Sequence, residues 1–595
     1  MKGDLIKDLD PALNRLPESV LSWRESGGGG PGGSGVSGAA GGGGSRRARG
    51  KAAGEGGPAA CRGLEALPGR PPRIFLLGVG GVAMASLAGL LSEDGYAVAG
   101  ADEALYPPMK GLVEELGIPV HEGYGPECLA GDIDLVVVGN VVTRRFPAAA
   151  ELSRRRLPYV SLPQALSGLF LAGTSNLVVA GCHGKTTLTA LCATLLEAGG
   201  LRPGFLIGGA ALGFPRPFRK GAGGFFVIEG DEYDCAFFDK RPKFVHYRPR
   251  VAVLTSVEYD HADIYPDLES VSAAYRTLAG LIPPDGLLVA NGDEPLCREA
   301  AASCRGRVSF YGEGEGCPWR LAGFRAEGFR SDLEIRGPEG RSFRLSWPRL
   351  GRYNALGACA AVAAALELGA DPESFPAAFS SFRGVRRRQE PVFDSYPAFL
   401  GKGSKGRAGP LRERPGRAPR EARAGTRPEG APGGSPEGPP GAEPPEGVTV
   451  VDDFAHHPTA VSATLSALKE AFPDRRLLAA FEPRSNTSRR GVFQESYALA
   501  FGAADRVYLC GVDRPEKAPE GDRLDVGRLR EAIGPSKALS LPGPDAVYGE
   551  IVREAGPGDL ICVMSNGSFG NLAARLAGFF GAAASAGLPA APDGV

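Results

Sequence analysis

Apolar residues along this chain come in short unbroken runs separated by longer amphipathic stretches. RIFLLGVG (73–80), LVVVGN (135–140) and NLVVAG (176–181) open the series, and FFVIEG (225–230), VAVLTS (251–256) and GLLVAN (286–291) continue it. VTVVDDF (448–454), RLLAAFE (476–482), DRVYLCG (505–511) and DLICVMS (559–565) follow. Short continuous apolar runs bounded by Gly, Asn or Asp predict strands buried on both faces. Between them, KTTLTALCATLLEAGG and PTAVSATLSALKEAF read as helices. Strands alternating with helices predict an α/β protein with parallel sheets covered on both sides. Three blocks are predicted, at 72–170, 171–382 and 383–588, with a lead-in at 1–25 expected to pack against the first.

Two segments break the pattern. Residues 26–71 are rich in Gly, Ser, Ala and Arg, and residues 401–447 in Pro, Gly, Arg and Glu. Neither can bury enough apolar surface to offset the entropy of ordering it, so both are expected to be disordered insertions. The formal net charge of −1 leaves no global basic field directed at nucleic acid or acidic lipid. Eleven cysteines lie scattered without a C-x-x-C pair, as expected of reduced thiols in the cytosol. The opening MKGDLIKDLDPALN lacks the apolar run of a signal peptide, and no stretch approaches the roughly 18 apolar residues of a membrane span. A cytoplasmic protein without nucleic-acid, membrane or obligate protein partners is expected.

AGCHGKTT (180–187) changes the picture from fold to chemistry. It follows an apolar strand and opens a helix, the context in which backbone N–H groups and the helix dipole hold phosphate oxygens. Gly181 and Gly184 shape the loop, Lys185 would reach the β/γ-phosphates, and the Thr186 hydroxyl would ligate Mg²⁺. The strict G-x-x-x-x-G-K-T pattern is not met, because Val179 stands where its first glycine belongs. Strand FFVIE ends in Glu229, Asp231 and Glu232, and VAVLTS leads to Glu258, Tyr259, Asp260, His261 and Asp263. Carboxylates at strand ends beside a triphosphate loop suit a hard Mg²⁺ ion. GVGGVA (78–83), with Asp102 after the next strand, matches G-x-G-x-x-A. Alone it would read as an NAD(P)-dependent oxidoreductase, a reading that leaves the GKT loop and its acids unexplained.

IEGDEYDCAFFDKRPKFVHYRP (228–249) and SVEYDHADIY (256–265) resemble the Mur ligase family, in its murein peptide ligase branch. YPPM (106–109), GNVVTR (139–144), PGFLIGG (203–209), DDFAHHPT (452–459), FEPRSNT (481–487) and VMSNGSFG (563–570) fit the same branch, and DPALNRLPESV (10–20) resembles the lead-in of some members. The resemblance implies a Rossmann-like first domain for a UDP-sugar, a central P-loop ATPase domain and a Rossmann-like C-terminal domain, with ATP between the last two. It implies an ATP- and Mg²⁺-dependent ligase that joins UDP-N-acetylmuramate to L-alanyl-γ-D-glutamyl-meso-diaminopimelate through an acyl phosphate. The MurC type, which adds L-alanine, and a non-catalytic nucleotide-binding relative are the alternatives within the fold.

By position, the resemblance assigns Gly181, Gly184, Lys185, Thr186, Thr187, Asn354, Arg388 and Asp453 to ATP, and Thr186, Glu229 and His261 to the metal. Lys185, Glu229 and His261 are its catalytic candidates. Gly78, Gly81, Asp102 and Asn140 fall to the UDP-sugar, and Arg484, Ser565 and Asn566 to the peptide. Departures from the family pattern are Cys182 for a threonine, Tyr353 for the histidine of His-Asn-x-x-Asn, Gly357 for its second asparagine, and GVGGVAM for G-x-x-G-T-G-M. His456 and His457 are candidates for the base that deprotonates the attacking amine.

Overall fold

The computed structural model describes residues 14–17, 20, 70–106, 108–395, 445 and 447–586. The expected insertions, apart from residues 70, 71, 445 and 447, lie outside the described residues, as does most of the lead-in. Of the lead-in, Val20 is fully buried, and its carbonyl accepts a hydrogen bond from Tyr96 Oη at 3.1 Å. The chain forms two compact units. The first comprises Met1–Val257, Ser272–Phe310 and Ala360–Ser374, the second Glu258–Val271, Tyr311–Cys359 and Phe375–Val595.

The first unit holds two sheets. One contains β1 (Arg73–Leu77), β2 (Ala97–Asp102), β3 (Val120–Glu122), β4 (Leu135–Val138) and β5 (Tyr159–Ser161) in the order β3-β2-β1-β4-β5, all parallel. Strand order reverses between β1 and β4, so the carboxyl ends of those two strands flank the switch point where open α/β sheets bind ligands. The other sheet is built on β6 (Ser175–Ala180), β7 (Gly204–Leu206), β8 (Phe218–Arg219), β9 (Phe225–Gly230), β12 (Pro249–Leu254) and β13 (Leu287–Asn291). A small antiparallel hairpin, β10 (Asp234–Ala236) with β11 (Asp239–Pro242), follows β9. The order β13-β12-β6-β9-β7-β8 sets β6 between β9 and β12, with Val179 level with both Glu229 and Val253. The loop leaving β6 therefore emerges between the carboxyl ends of two parallel neighbours.

β14 (Arg307–Gly312) begins in the first unit, and its last two residues, Tyr311 and Gly312, belong to the second, where they pair with β15 (Trp319–Glu327) of an antiparallel meander completed by β16 (Arg330–Arg336) and β17 (Ser342–Trp347). Its buried face includes Leu333, Leu345 and Trp347, and the Trp347 ring lies 5.4 Å from Phe379. Next comes a six-stranded sheet of β18 (Glu390–Asp394), β19 (Thr449–Asp453), β20 (Leu477–Phe481), β21 (Arg506–Cys510), β22 (Ala538–Leu541) and β23 (Leu560–Met564), ordered β18-β19-β23-β20-β21-β22. Val451, Leu477, Ala479 and Cys562 face one apolar layer, while Val450, Leu478, Ala480 and Ile561 face the other. Both faces are thus covered, and each fully buried Val, Leu or Ile contributes about 1.5–3 kcal/mol.

The continuous apolar runs all form buried strands, and KTTLTALCATLLEA and PTAVSATLSALKEA form helices at Lys185–Ala198 and Pro458–Ala471. The antiparallel additions β8, β15 to β17 and β18 depart from the all-parallel expectation. Alternation explains the meander: β16 runs exposed, buried, exposed, buried, the mark of a half-covered strand. Among the described residues, no helix is long and apolar enough to cross a membrane.

Candidate active site

The first unit builds the phosphate loop between β6 and the helix Lys185–Ala198. Gly181 has φ 122°, and a Cβ there would come within 2.1 Å of Thr255 Oγ1, so only glycine fits. Gly184, at φ 78°, caps the helix N-terminus. Residues after β12 pin the loop. Thr255 Oγ1 donates to His183 O at 2.7 Å, Ser256 Oγ accepts from His183 N–H at 3.2 Å, and Ser256 O accepts from Cys182 N–H at 3.1 Å. Thr255 and Ser256 closed the VAVLTS run in the sequence, but nothing in it marked them as supports for this loop. Cys182, the departure within the loop, places its sulfur 3.8 Å from the hydroxyl of buried Tyr275.

Lys185 Nζ donates to Gly181 O at 2.8 Å and to the two Glu232 oxygens at 3.0 and 2.9 Å. Burial alone would lower the lysine pKa, but the Glu232 and Asp231 carboxylates outweigh it and hold the pKa above the usual range. Asp231 is in turn bonded by Lys243, so two lysine–carboxylate pairs stand side by side after β9. Thr186 Oγ1 donates to Glu229 Oε2 at 3.1 Å, and Glu229 Oε1 accepts the Gly208 N–H at 2.5 Å. The Thr186 hydroxyl and the Glu229 carboxylate offer hard oxygen donors on one spot, a chemistry that fits Mg²⁺. Thr187, half-buried, occupies the same first helical turn.

The glycine-rich turn of the first unit lies at the other sheet's switch point. Gly78 has φ 89°, and Gly81 caps the helix Val82–Glu93. Asp102 Oδ2 accepts the Gly80 N–H at 2.8 Å, so this acid shapes the turn as well as standing at its rim. Asn140 is half-buried just beyond the carboxyl end of β4, next to Val141, whose side chain is 64 % exposed. Gly78, Gly81 and Asp102 thus lie in or against one turn at the carboxyl ends of β1 and β2, and Asn140 follows the neighbouring strand β4.

In the second unit, Asn354, Arg388 and Asp453 come together through Gln389, a residue the sequence did not single out. Gln389 Oε1 accepts from Asn354 Nδ2 at 3.2 Å, and Gln389 N–H donates to Asp453 Oδ2 at 2.7 Å. Asp453 is buried, which raises its pKa against the opposing N–H bonds from Ala455 and Gln389. The Arg388 guanidinium lies 4.1 Å from the centre of the Phe454 ring. Tyr353 and Gly357 lie on the same helix, Arg352–Glu367, as Asn354.

Around the turn after β23, Ser565 Oγ donates to Glu482 Oε2 at 2.6 Å and accepts the Gly567 N–H at 2.9 Å. Arg387 donates to Ser565 O at 2.6 Å. Arg484 lies over Gly567, with its Nε 3.6 Å from Asp513, and Asn566 is half-buried between Ser565 and Gly567. Arg484, from the loop after β20, thus rests on the turn that carries Ser565 and Asn566. Glu482, buried at the end of β20, is its unforeseen support.

His261 has a left-handed backbone, φ 56°, held by its N–H donating to Asp260 Oδ1 at 2.6 Å. Burial raises the Asp260 pKa, but His261, His457 and His456 overcome this and keep it well below the carboxylate range. The two candidate bases differ in what they touch. His457 Nδ1 accepts the Thr459 N–H at 3.4 Å and its Nε2 donates to Tyr259 O at 3.3 Å, which makes it a helix cap. His456 Nδ1 donates to Phe454 O at 2.9 Å, a tautomer that makes Nε2 the basic nitrogen.

Three family descriptions match the chain in sequence order. "Mur ligase family, catalytic domain" matches residues 73–173, "Mur ligase middle domain" residues 179–365, and "Mur ligase, glutamate ligase domain" residues 442–567. The chain is 35% identical over 506 residues, 85% of its length and 97% of the relative's, to the UDP-N-acetylmuramate–L-alanyl-gamma-D-glutamyl-meso-2,6-diaminoheptandioate ligase of Escherichia coli K12. It is 31% identical to the UDP-N-acetylmuramate–L-alanine ligase of Thermobifida fusca, over 85% of this chain and 96% of that one. Among solved structures, a murein peptide ligase from Psychrobacter arcticus 273-4 is 30% identical with a TM-score of 0.60, covering 86% of this chain and 99% of that one.

Proposed function

This chain belongs to the Mur ligase family, and on that premise we propose that it joins UDP-N-acetylmuramate to L-alanyl-γ-D-glutamyl-meso-diaminopimelate with ATP. The observation that carries the reading is the 35% identity along 97% of a relative named for that reaction. The oxidoreductase alternative falls away, because the glycine-rich turn of Gly78 belongs to a ligase family match that begins at residue 73.

A carboxylate and an amine do not condense readily in water, because oxide is a very poor leaving group. The muramyl carboxylate attacks the γ-phosphorus of ATP, giving an acyl phosphate and ADP. The peptide amine then attacks the acyl carbon, the C–O bond to phosphate breaks, and orthophosphate leaves. This chain's contribution is positioning and charge neutralisation. The amides of the loop 181–185 cradle phosphate oxygens, and Lys185 exchanges Glu232 for the β/γ-phosphates. Thr186 and Glu229 would hold Mg²⁺, which neutralises phosphate charge when bound. Arg484 offers a guanidinium fork for a peptide carboxylate, and the turn at Ser565 and Asn566 supplies polar contacts beside it. Substrates of this kind, ATP and a UDP-sugar, imply work in the cytoplasm.

Phosphate release from Mg-ATP with UDP-N-acetylmuramate, comparing the tripeptide with L-alanine, tests the reading. Release and amide product with the tripeptide alone support it; release with L-alanine alone overturns it in favour of the L-alanine-adding branch, whose members are also similar to this chain.

A further inference from the structure

The run CAFFDKRPKFVH (235–246), which the proposed reaction leaves unused, folds back on itself after β9. In the hairpin, Asp234 stands opposite Pro242 and Ala236 opposite Asp239, and the register shifts between these pairs. Lys240 and Arg241 therefore share the place opposite Cys235, a bulge that re-aims the side chains around it. The 3-10 turn Lys243–His246 follows directly and ends on His246. Phe244, fully buried and stacked 6.2 Å from the ring of Tyr275, anchors that turn, and Asn176 Nδ2 donates to Tyr247 O at 3.0 Å just beyond it.

Three metal-ligating side chains of different kinds converge here. Cys235 Sγ, a carboxylate oxygen of Asp239 and a ring nitrogen of His246 all lie within 4.8 Å of one another. His246 Nε2 and Asp239 Oδ2 are 2.8 Å apart. Cys235 is 1% exposed and Asp239 6%, but the Arg241 side chain is 58% exposed and that of His246 13%. The cluster thus opens to solvent on the side of His246 and Arg241.

We infer that Cys235, Asp239 and His246 bind a zinc ion, with no ligand in common with the Mg²⁺ donors Thr186 and Glu229. A thiolate beside an imidazole suits Zn²⁺, whereas Mg²⁺ and Ca²⁺ want oxygen throughout. Nitrogen and oxygen ligands on a tetrahedral zinc stand about 3.3 Å apart, so His246 and Asp239 need to part by only about half an ångström. Asp239 Oδ1 accepts the Arg241 N–H at 3.1 Å and Nε at 2.8 Å, which orients the carboxylate and leaves Oδ2 for the ion. Arg241 Nη2, 2.8 Å from Oδ2, belongs to the exposed side chain and withdraws into solvent. On binding, the Cys235 thiol, which donates to Arg241 O at 3.1 Å, gives its proton to solvent as the S–Zn bond forms. His246 carries its proton on Nδ1, and one water of the hydrated ion stays as the fourth ligand. No oxidation state changes. The ion fixes the turn that carries Lys243, the partner of Asp231 beside the Lys185–Glu232 pair. The inference is independent of the ligase reading, because neither nucleotide nor peptide enters it.

The experiment titrates Zn²⁺ into the chelator-treated full chain in competition with a chromogenic chelator, and uses Co²⁺ as a spectroscopic probe. Wild type should bind one Zn²⁺ per chain, keep it in excess Mg²⁺ and melt at a higher temperature with it. Its Co²⁺ form should show a thiolate-to-metal charge-transfer band. Cys235→Ser keeps a donor for Arg241 O, and His246→Gln keeps a donor for Asp239. Both variants should bind Zn²⁺ about a hundredfold more weakly than wild type, with no rise in melting temperature, and Cys235→Ser should lose the band. If Cys235→Ser does not fold, the loss of affinity in His246→Gln, altered at the rim, decides alone. A wild type that binds no Zn²⁺, or variants that keep its affinity and band, overturn the inference and show a cluster held by hydrogen bonds only. Absence of ligase turnover leaves it standing.

Discussion

Arg484 lies directly across Gly567: a Cβ built on Gly567 would sit 2.3 Å from Arg484 Cδ and 2.4 Å from its Nε. The absence of a side chain at 567 is thus what lets the guanidinium rest over the turn carrying Ser565 and Asn566. Gly567→Ala should push Arg484 aside and raise the peptide KM about tenfold, roughly 1.4 kcal/mol, with the ATP KM little changed. Steady-state kinetics with each substrate varied in turn will check this. Arg484→Ala should show the same split, and equal effects on both KM values would remove Arg484 from the peptide site.

Lys185 and Glu232 form a pair in which the carboxylate is 1% exposed. Removing the lysine alone leaves a buried unpaired charge, a loss of about 3–5 kcal/mol. Lys185→Ala should therefore both abolish turnover and lower the melting temperature. The double variant Lys185→Ala/Glu232→Gln should recover most of the melting temperature while staying inactive. Turnover by either variant would count against the phosphate-loop assignment.

Asp452 pairs with Arg387 at 3.4 Å, yet burial lifts its pKa to about 6, with Arg387 opposing and Asp453 adding to the rise. The folded state thus holds the proton more tightly than the unfolded chain, whose carboxyl titrates near 3.8. The resulting stability is fully present below pH 3.8 and is lost as pH rises to about 6. Relative to wild type, Asp452→Asn should gain on the order of 2–3 kcal/mol between pH 4 and pH 7. Denaturant melts of both proteins across that range will show the drift; parallel curves would refute it.

Asp394 and Thr449 are paired neighbours on antiparallel β18 and β19, and Ser395 N–H donates to Val448 O at 3.1 Å. The chain thus leaves and re-enters the sheet at adjacent points, and a short turn can span them. Deleting 401–447 should leave kcat and both KM values within about twofold, and the melting temperature within a few degrees. A collapse of activity on deletion would assign that segment a role in the reaction.

The parts legible in the sequence were those whose signal is local. NLVV, FFVIE and VAVLTS read as strands because parallel strands buried on both faces need continuous apolar side chains, and the strand-to-helix turn at GKT was legible because its context lies within a few residues. Distant partners were invisible. Nothing within VAVLTS indicates that Thr255 and Ser256 hold the loop at His183, and nothing near FEPRSNT indicates that Glu482 holds Ser565. Gln389 was hidden for another reason: its left-handed backbone and its bond to Asn354 arise from tertiary packing that no propensity encodes.

The Lys185 ammonium has three N–H bonds, and all three are spent, one on Gly181 O and two on Glu232. Any anion entering the loop must displace a carboxylate already in place. Orthophosphate, which is abundant in cells, brings one small anion and can engage only part of the loop, so the exchange gains it little. On the proposed ATP reading, a nucleoside triphosphate would engage the loop amides, the helix terminus and the lysine together, a grip that a single phosphate cannot match. The paired carboxylate therefore sets what an incoming phosphate has to replace at Lys185 before the loop can be filled.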